Sequence, residues 1–247
     1  MSGRIWVQGL LQKKLSPLII KLLQQAGILA ANNCLQLYLV GGLVRDLLLD
    51  SSLQYDYDLV VTGDAGQFAA LLQTQVGGRL TLYPRYLTAT ITLDADTKFD
   101  LVTARKEIYS KPAALPYVEA SDLKDDLYRR DFSVNALASS LLPGEWGLLY
   151  DYYHGYDDLQ NKLIRVFHPN SFIDDPLRII RAIRFEQRYA FTIEKQTLSY
   201  LIGAIRAKNL ALVDQQRLAR EVKNIYLEPQ PKIVLERLQE LGVGILR

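Results

Sequence analysis

Apolar positions along this chain follow two rhythms, a mixed one up to about residue 140 and a helical one after about residue 172. Ser16-Pro17 marks a helix start, with Ser16 as N-cap and Pro17 in the first helical position. Leu18, Ile19, Leu22 and Leu23 then form a broad apolar face, and Gly27 is the expected stop. Residues 35–40 read as a strand running into Gly41-Gly42, with a helix following through Leu49. Residues 56–61 are rich in β-formers and read as a second strand, closed by Thr62-Gly63-Asp64. Residues 65–75 return to helix, and residues 88–93 and 99–103 read as strands separated by the polar turn Asp94-Ala95-Asp96. Between Glu107 and Asp126 the pattern dissolves into tyrosine, serine, lysine and two prolines, which predicts a loop or flap. The mixture predicts an α+β fold, with a compact first domain and a change of architecture somewhere in residues 140–172.

Asp56-Tyr57-Asp58 carries the first chemical signal. Alternate residues of a strand share a face, so the two carboxylates point the same way. They repel one another unless a cation lies between them. Hard, oxygen-seeking Mg²⁺ fits such a pair, and Mg²⁺ usually accompanies phosphates. Gly41-Gly42 just upstream offers backbone that a triphosphate can approach closely. Arg45 follows as a forked cationic contact for its oxygens. Asp100, on a predicted neighbouring strand, is a candidate third carboxylate or an exposed strand-end acid.

Bulk properties narrow the chemistry further. The 247 residues are 49% apolar and 23% charged, the profile of an ordinary globular protein. One cysteine, Cys34, excludes an internal disulfide framework and a cysteine zinc site. With only two histidines, His154 and His168, a histidine-rich metal site is excluded too. No signal peptide opens the chain and no apolar stretch is long enough to span a bilayer, so the expectation is a cytoplasmic protein without membrane contact. The net charge of +2 is unevenly spread. Residues 1–171 carry 16 Lys and Arg against 18 Asp and Glu, whereas residues 172–247 carry 13 against 9. The C-terminal excess suits a polyanion, or a solvated basic helix surface.

Leu39-Val40-Gly41-Gly42-Leu43-Val44-Arg45-Asp46, Asp56-Tyr57-Asp58 and Arg129-Arg130-Asp131-Phe132-Ser133-Val134-Asn135-Ala136 stand in that order. Together they resemble the class II tRNA nucleotidyltransferase and bacterial poly(A) polymerase family. Asp151-Tyr152-Tyr153-His154-Gly155-Tyr156-Asp157-Asp158-Leu159 is similar to that family's Asp/Gly/Asp-Leu motif. Asp174-Asp175-Pro176-Leu177-Arg178, with Arg181 and Arg184, is similar to its nucleotide-selecting motif. The resemblance implies a nucleotidyltransferase head domain of the polymerase-beta-like type, built on a small mixed sheet and placed at residues 1–142. A helical neck and the start of a body domain would occupy residues 143–247, with most of the RNA-gripping remainder absent. It implies addition of C and A to the tRNA 3′ end from CTP and ATP, without a template. Asp56 and Asp58 would hold Mg²⁺ and, with Asp100, form the catalytic set; Gly41, Gly42, Arg45, Arg130 and Asp131 would bind the nucleotide. Full CCA, CC-only and A-only addition share these motifs, as does poly(A) synthesis, and residues 105–127 leave the choice open.

The segment from Asp174 also has a reading of its own. Asp174 is a good N-cap and Pro176 fits a first helical turn. At about 100° per residue, Asp175, Arg178, Arg181 and Arg184 share one half of the helix, and Ile179, Ile180 and Ile183 the other. That describes either a solvated basic face or a base reader. A carboxylate only accepts and a guanidinium only donates. An Asp/Arg pair one turn apart therefore matches a base edge that offers an amino group beside an acceptor, as cytosine and adenine do. The family motif commonly begins with Glu where this chain has Asp174. Residues 214–223 are similar to the family's next helical motif, with Gln216 where Glu is frequent. A chain of this length is expected to bind nucleotide but to grip tRNA weakly.

Overall fold

The computed structural model describes residues 4–51, 56–95 and 97–244, without the side chain of Asp56. Contacts divide the chain into two units: residues 1–107, 118–130 and 135–155 form the first, and residues 108–117, 131–134 and 156–247 the second. Among the described residues no helix is long and apolar enough to cross a membrane.

The first unit begins with helices α1 (Gln8–Lys14) and α2 (Pro17–Asn32). Ser16 caps α2 by accepting a bond from the Ile19 amide at 3.3 Å. Gly27 does not stop this helix. It lies where a Cβ would fall 1.8 Å from the Leu141 carbonyl oxygen, so its bareness serves a close approach rather than a turn. The helix runs on to Asn33, whose side-chain amide donates to the Leu29 carbonyl at 2.8 Å.

Strand β1 (Leu37–Val40), helix α3 (Gly42–Leu48), strand β2 (Asp56–Val61) and helix α4 (Ala65–Val76) follow. Strands β3 (Arg79–Tyr83), β4 (Thr88–Thr92) and β5 (Lys98–Thr103) complete one side of the sheet. Of residues 107–126, expected to be a loop or flap, only residues 109–116 and the short stretch before residue 123 lack helix or strand. Strands β6 (Arg105–Ile108) and β7 (Tyr117–Ala120) form a two-stranded sheet, followed by helix α5 (Leu123–Tyr128). The cross-strand ion pair Lys106–Glu119, at 2.8 Å, helps hold it. Prolines 112 and 116 sit in the connection, where their missing N–H breaks no ladder. Strands β8 (Ala138–Ser140) and β9 (Leu149–Tyr150) finish the unit.

The main sheet has the order β3-β4-β5-β2-β1-β8-β9. Only β2 and β5 run parallel among its described pairs, and their register sets Asp58 opposite Asp100 and Asp56 opposite Lys98. α2 packs on β1, and α4 packs on β3, β4 and β5. The core between them holds Leu23, Leu37, Leu39, Leu59, Phe68, Leu72, Ile91, Phe99 and Leu101, all essentially without solvent exposure.

The second unit is mostly helical: α6 (Gly155–Gln160), α7 (Ser171–Asp174), α8 (Leu177–Tyr189), α9 (Lys195–Arg206), α10 (Gln215–Tyr226) and α11 (Pro231–Glu240). Short strands β10 (Leu163–Ile164) and β11 (Thr192–Ile193) pair in parallel. Asp174 is not the cap of the long helix, because it ends α7; Asp175 is extended, and α8 starts after Pro176. A proline disfavours helical backbone in the residue before it, which separates the two helices at this point. α8 buries Ile179, Ile180, Ala182, Ile183 and Phe185, the last in edge-to-face contact with Phe132 at 5.8 Å between ring centres.

Candidate functional site

In the first unit the chemistry gathers where β1 ends. Gly41 has φ +75° and ψ −140°, a conformation in which a side chain is strained. A methyl group there would also lie 2.9 Å from Arg130 Nη1 and 3.5 Å from Asp58 Oδ2. Bare backbone, a guanidinium and a carboxylate thus converge on one small region. A Cβ on Gly42, which opens α3, is an ordinary van der Waals distance of 3.4 Å from Arg45 Nη2.

Asp58 is half-buried on β2. Its ladder partner Asp100 sits directly across on β5, so the two positions share a face of the sheet. Asp100 accepts from Thr90 Oγ1 at 2.6 Å and from Lys98 Nζ at 3.0 Å. The side chain of Asp56 lies outside the described residues. Among the described residues no group of three or more His, Cys, Asp or Glu is disposed to hold a metal ion. The donors present on this face are carboxylate oxygens, the type a hard divalent cation takes.

Arg45 is buried beneath the turn. Its Nε and Nη2 donate to Asp46 Oδ1 and Oδ2 at 2.8 and 3.0 Å, and its Nη1 donates to Asn135 Oδ1. These bonds engage three of the five N–H groups of Arg45. In Arg130, Nη2 donates to Asp126 Oδ2 at 3.1 Å, Nη1 points to the Gly41 turn, and the buried Nε has no hydrogen-bond partner among the described residues.

In the second unit Asp175, Arg181 and Arg184 are tied into ion pairs and Arg178 is buried, so the solvated basic face is not what forms. Asp175 Oδ1 accepts from Arg217 Nη2 at 2.9 Å, and Arg217 Nη1 donates to the Ala113 carbonyl at 3.0 Å. Asp131 Oδ2 lies 2.6 Å from Arg181 Nη2, and that carboxylate holds the Arg181 guanidinium above its ordinary range. Arg178 and Arg184 are buried at 5% and 8% exposure. Arg184 donates from Nε to Glu228 Oε1 at 2.8 Å and from Nη1 to Glu221. Arg188 shares Glu228 at 2.6 Å. Beside the start of α8, burial pushes His168 below and Asp174 above their ordinary values, with Nδ1 and Oδ2 4.0 Å apart.

Sequence reading passed over Asp126 and Glu228, and quoted Asp46, Asn135, Arg217 and Glu221 within motifs without giving them a role. Asp126 had a signal, an acid three and four residues before two arginines on a helical turn. Arg217 and Glu228 had none, since they meet their partners from 42 and 44 residues away.

Residues 37–165 match the family described as poly(A) polymerase head domain. The A-adding tRNA nucleotidyltransferase of Halalkalibacterium halodurans is 40% identical over 91% of this chain and 53% of its own length. A solved CCA-adding enzyme in an apo form superposes with a TM-score of 0.92 at 41% identity, covering 98% of this chain and 57% of that one. The Thermotoga maritima CCA-adding enzyme, solved in complex with tRNA, gives 0.88 at 37% identity, covering 98% and 55%. The chain therefore spans about half the length of these relatives. With a matching family domain over more than half its residues and the family's motifs in order, the chain belongs to the class II tRNA nucleotidyltransferase and poly(A) polymerase family.

Proposed function

We propose that this protein is a template-independent nucleotidyltransferase that adds C and A to tRNA 3′ ends from CTP and ATP. The observation that carries the reading is the Gly41 turn, where bare backbone, Arg130 Nη1 and Asp58 Oδ2 converge within the span of one methyl contact. Backbone amides and a guanidinium at such a turn suit a polyphosphate, and the neighbouring carboxylates suit the cation that accompanies it. Gly41 and Gly42 admit the triphosphate, and Arg130 fixes its oxygens. Asp56 and Asp58 hold Mg²⁺, which when bound favours ionisation of the attacking ribose hydroxyl and offsets charge on the leaving pyrophosphate. Asp100 adds negative charge to the same face and is itself steadied by Thr90 and Lys98. Asp175 and Arg178 read the base edge, Asp131 and Arg181 act as a pair in nucleotide binding, and Arg184 supports the reading helix from behind.

A-only addition is the second reading, favoured by the A-adding relative from Halalkalibacterium halodurans. One experiment separates the readings. A tRNA lacking its CCA end is supplied with CTP, ATP or both in the presence of Mg²⁺, beside a tRNA already ending in CC, and the products are sequenced. Ordered C, C, A addition supports the first reading, and a single A on the CC-ending substrate alone supports the second. Long A tracts on arbitrary RNA identify a poly(A) polymerase, and no incorporation on any substrate overturns the assignment.

A further inference from the structure

The orientation of Arg130 is set by a neighbour three residues before the Arg129-Arg130-Asp131 segment. Asp126 lies in α5 with 0% exposure, one helical turn before Arg129 and Arg130. Its Oδ1 accepts from Arg129 Nε at 2.9 Å, and its Oδ2 accepts from Arg130 Nη2 at 3.1 Å. Each carboxylate oxygen thus serves one guanidinium. Arg129 carries the network onward, donating from Nη1 to Glu107 Oε1 on β6 at 3.0 Å. Arg105 Nη2 lies 3.5 Å from that same oxygen, and its Nη1 donates to the Tyr86 carbonyl. Burial alone would push the Asp126 carboxyl up, but Arg129 and Arg130 overcome this and hold it below the ordinary carboxylate range.

The far end of this network is the Gly41 turn. With Nη2 held by Asp126, the guanidinium lies with Nη1 at the turn. Among the described residues its buried Nε has no acceptor.

We propose that Asp126 is a positioning residue for the nucleotide triphosphate: through Oδ2 it anchors the Arg130 guanidinium so that Nη1 meets phosphate oxygens at the Gly41 turn. The inference rests on the function proposed above and deepens it. Because the effect runs through a phosphate contact and not through α8, it is the same for CTP and ATP.

The test is a double-mutant cycle on the full chain. ATP and CTP binding are measured by calorimetry, and KM and kcat by incorporation, for the wild type, Asp126→Asn, Arg130→Lys and the double variant. Asn keeps the shape but offers only one acceptor oxygen to two guanidiniums. The expected result is a KM at least about 10-fold higher for both nucleotides in Asp126→Asn, with a smaller change in kcat, the size of a lost charge-assisted bond. The double variant should be no weaker than Arg130→Lys alone, since Asp126 acts through Arg130. Arg129→Gln, which removes the other half of the Asp126 contacts, should lower the melting temperature and leave KM near the wild-type value. Additive effects in the cycle, or equal KM changes in Asp126→Asn and Arg129→Gln, would mean a merely structural role and overturn the proposal. Should Asp126→Asn fail to fold by circular dichroism, Asp126→Glu, which keeps the charge but moves it by a methylene, enters the same cycle under the same criteria. Wild-type protein that binds neither ATP nor CTP overturns the function itself, an outcome distinct from normal wild-type binding with an unaltered Asp126→Asn.

Discussion

The Gly41 region and helix α8 both hold arginines against carboxylates, but they do so at opposite ranges. Around Gly41 each arginine has a partner near in sequence, Arg45 in Asp46 and Arg129 and Arg130 in Asp126, and Arg129 alone reaches further, to Glu107. Around α8 they come from afar: Asp175 with Arg217, Arg181 with Asp131, and Arg184 with Glu221 and Glu228. Local pairing fixes a side chain relative to its own backbone, which suits a turn that must present groups at set positions. Long-range pairing fixes one helix relative to others, so those guanidiniums contribute to architecture first. Presence of an arginine on a favourable helix face does not by itself say which of the two it does.

The largest expected effect sharpens the first half of that comparison. Asp58→Ala should lower nucleotide incorporation by on the order of 10³-fold or more, because several kcal/mol of charge stabilisation at the transferring phosphate are lost. A half-buried strand residue should change the melting temperature little, and Asp56→Ala should behave alike. Activity surviving both changes would sink the two-carboxylate assignment.

Next in size is the architectural half. Arg184→Ala leaves Glu221 and Glu228 near-buried with less compensation, and removing one partner of such a pair costs about 3–5 kcal/mol. Denaturant titration should show the loss, while nucleotide selectivity at a temperature where the variant is folded stays as in the wild type. A selectivity change without a stability change would move Arg184 into the base-reading set.

Gly41→Ala is expected to fall between the two kinds of effect. Left-handed backbone and the 2.9 Å approach to Arg130 together suggest about 1–3 kcal/mol of strain, with a rise in KM for both nucleotides. Unaltered binding would show that the turn is only a turn. A smaller change is expected for Asp175→Ala: relaxed choice among the four nucleotides by roughly 10-fold, with kcat for ATP little altered. Competition assays with mixed nucleotides read this directly, and unchanged discrimination counts against base reading by α8.

The smallest effect at neutral pH concerns acid. Asp126 has a folded value held below its ordinary 3.8, so the stability it lends is fully present above that value. It is lost as pH falls through the lower folded value. Melting temperature followed between pH 2 and 6 should fall less steeply at the acid end in Asp126→Asn than in the wild type.

Legibility in the sequence obeys the same division by range. Strand β2 coincides with the predicted residues 56–61, and the Ser16 cap of α2 is where its residue type placed it. Period and capping act within a few residues, so they leave local marks. Gly27 looks like a helix stop only because its reason, the Leu141 carbonyl, is distant in sequence. The β6–β7 ribbon is hidden because prolines and polar residues in its connection mask two short strands. At the site, Gly41-Gly42 and Asp58 stand out by residue type and spacing. The pairing of Asp58 with Asp100 needs the parallel register of β2 and β5, and the Asp175–Arg217 bond needs α10, neither of which any local pattern contains.

The division of the chain into two units has a consequence for descent. Reading from the N-terminus, the polypeptide changes unit five times, between 107 and 108, 117 and 118, 130 and 131, 134 and 135, and 155 and 156. Arg130 and Asp131, adjacent in the gene, belong to different units. A crossover anywhere between codons 107 and 155 would exchange fragments of both at once and leave neither whole. A crossover after codon 155 keeps the first unit whole but separates residues 108–117 and 131–134 from the rest of the second, so those two short segments have to change in step with the sequence after 155.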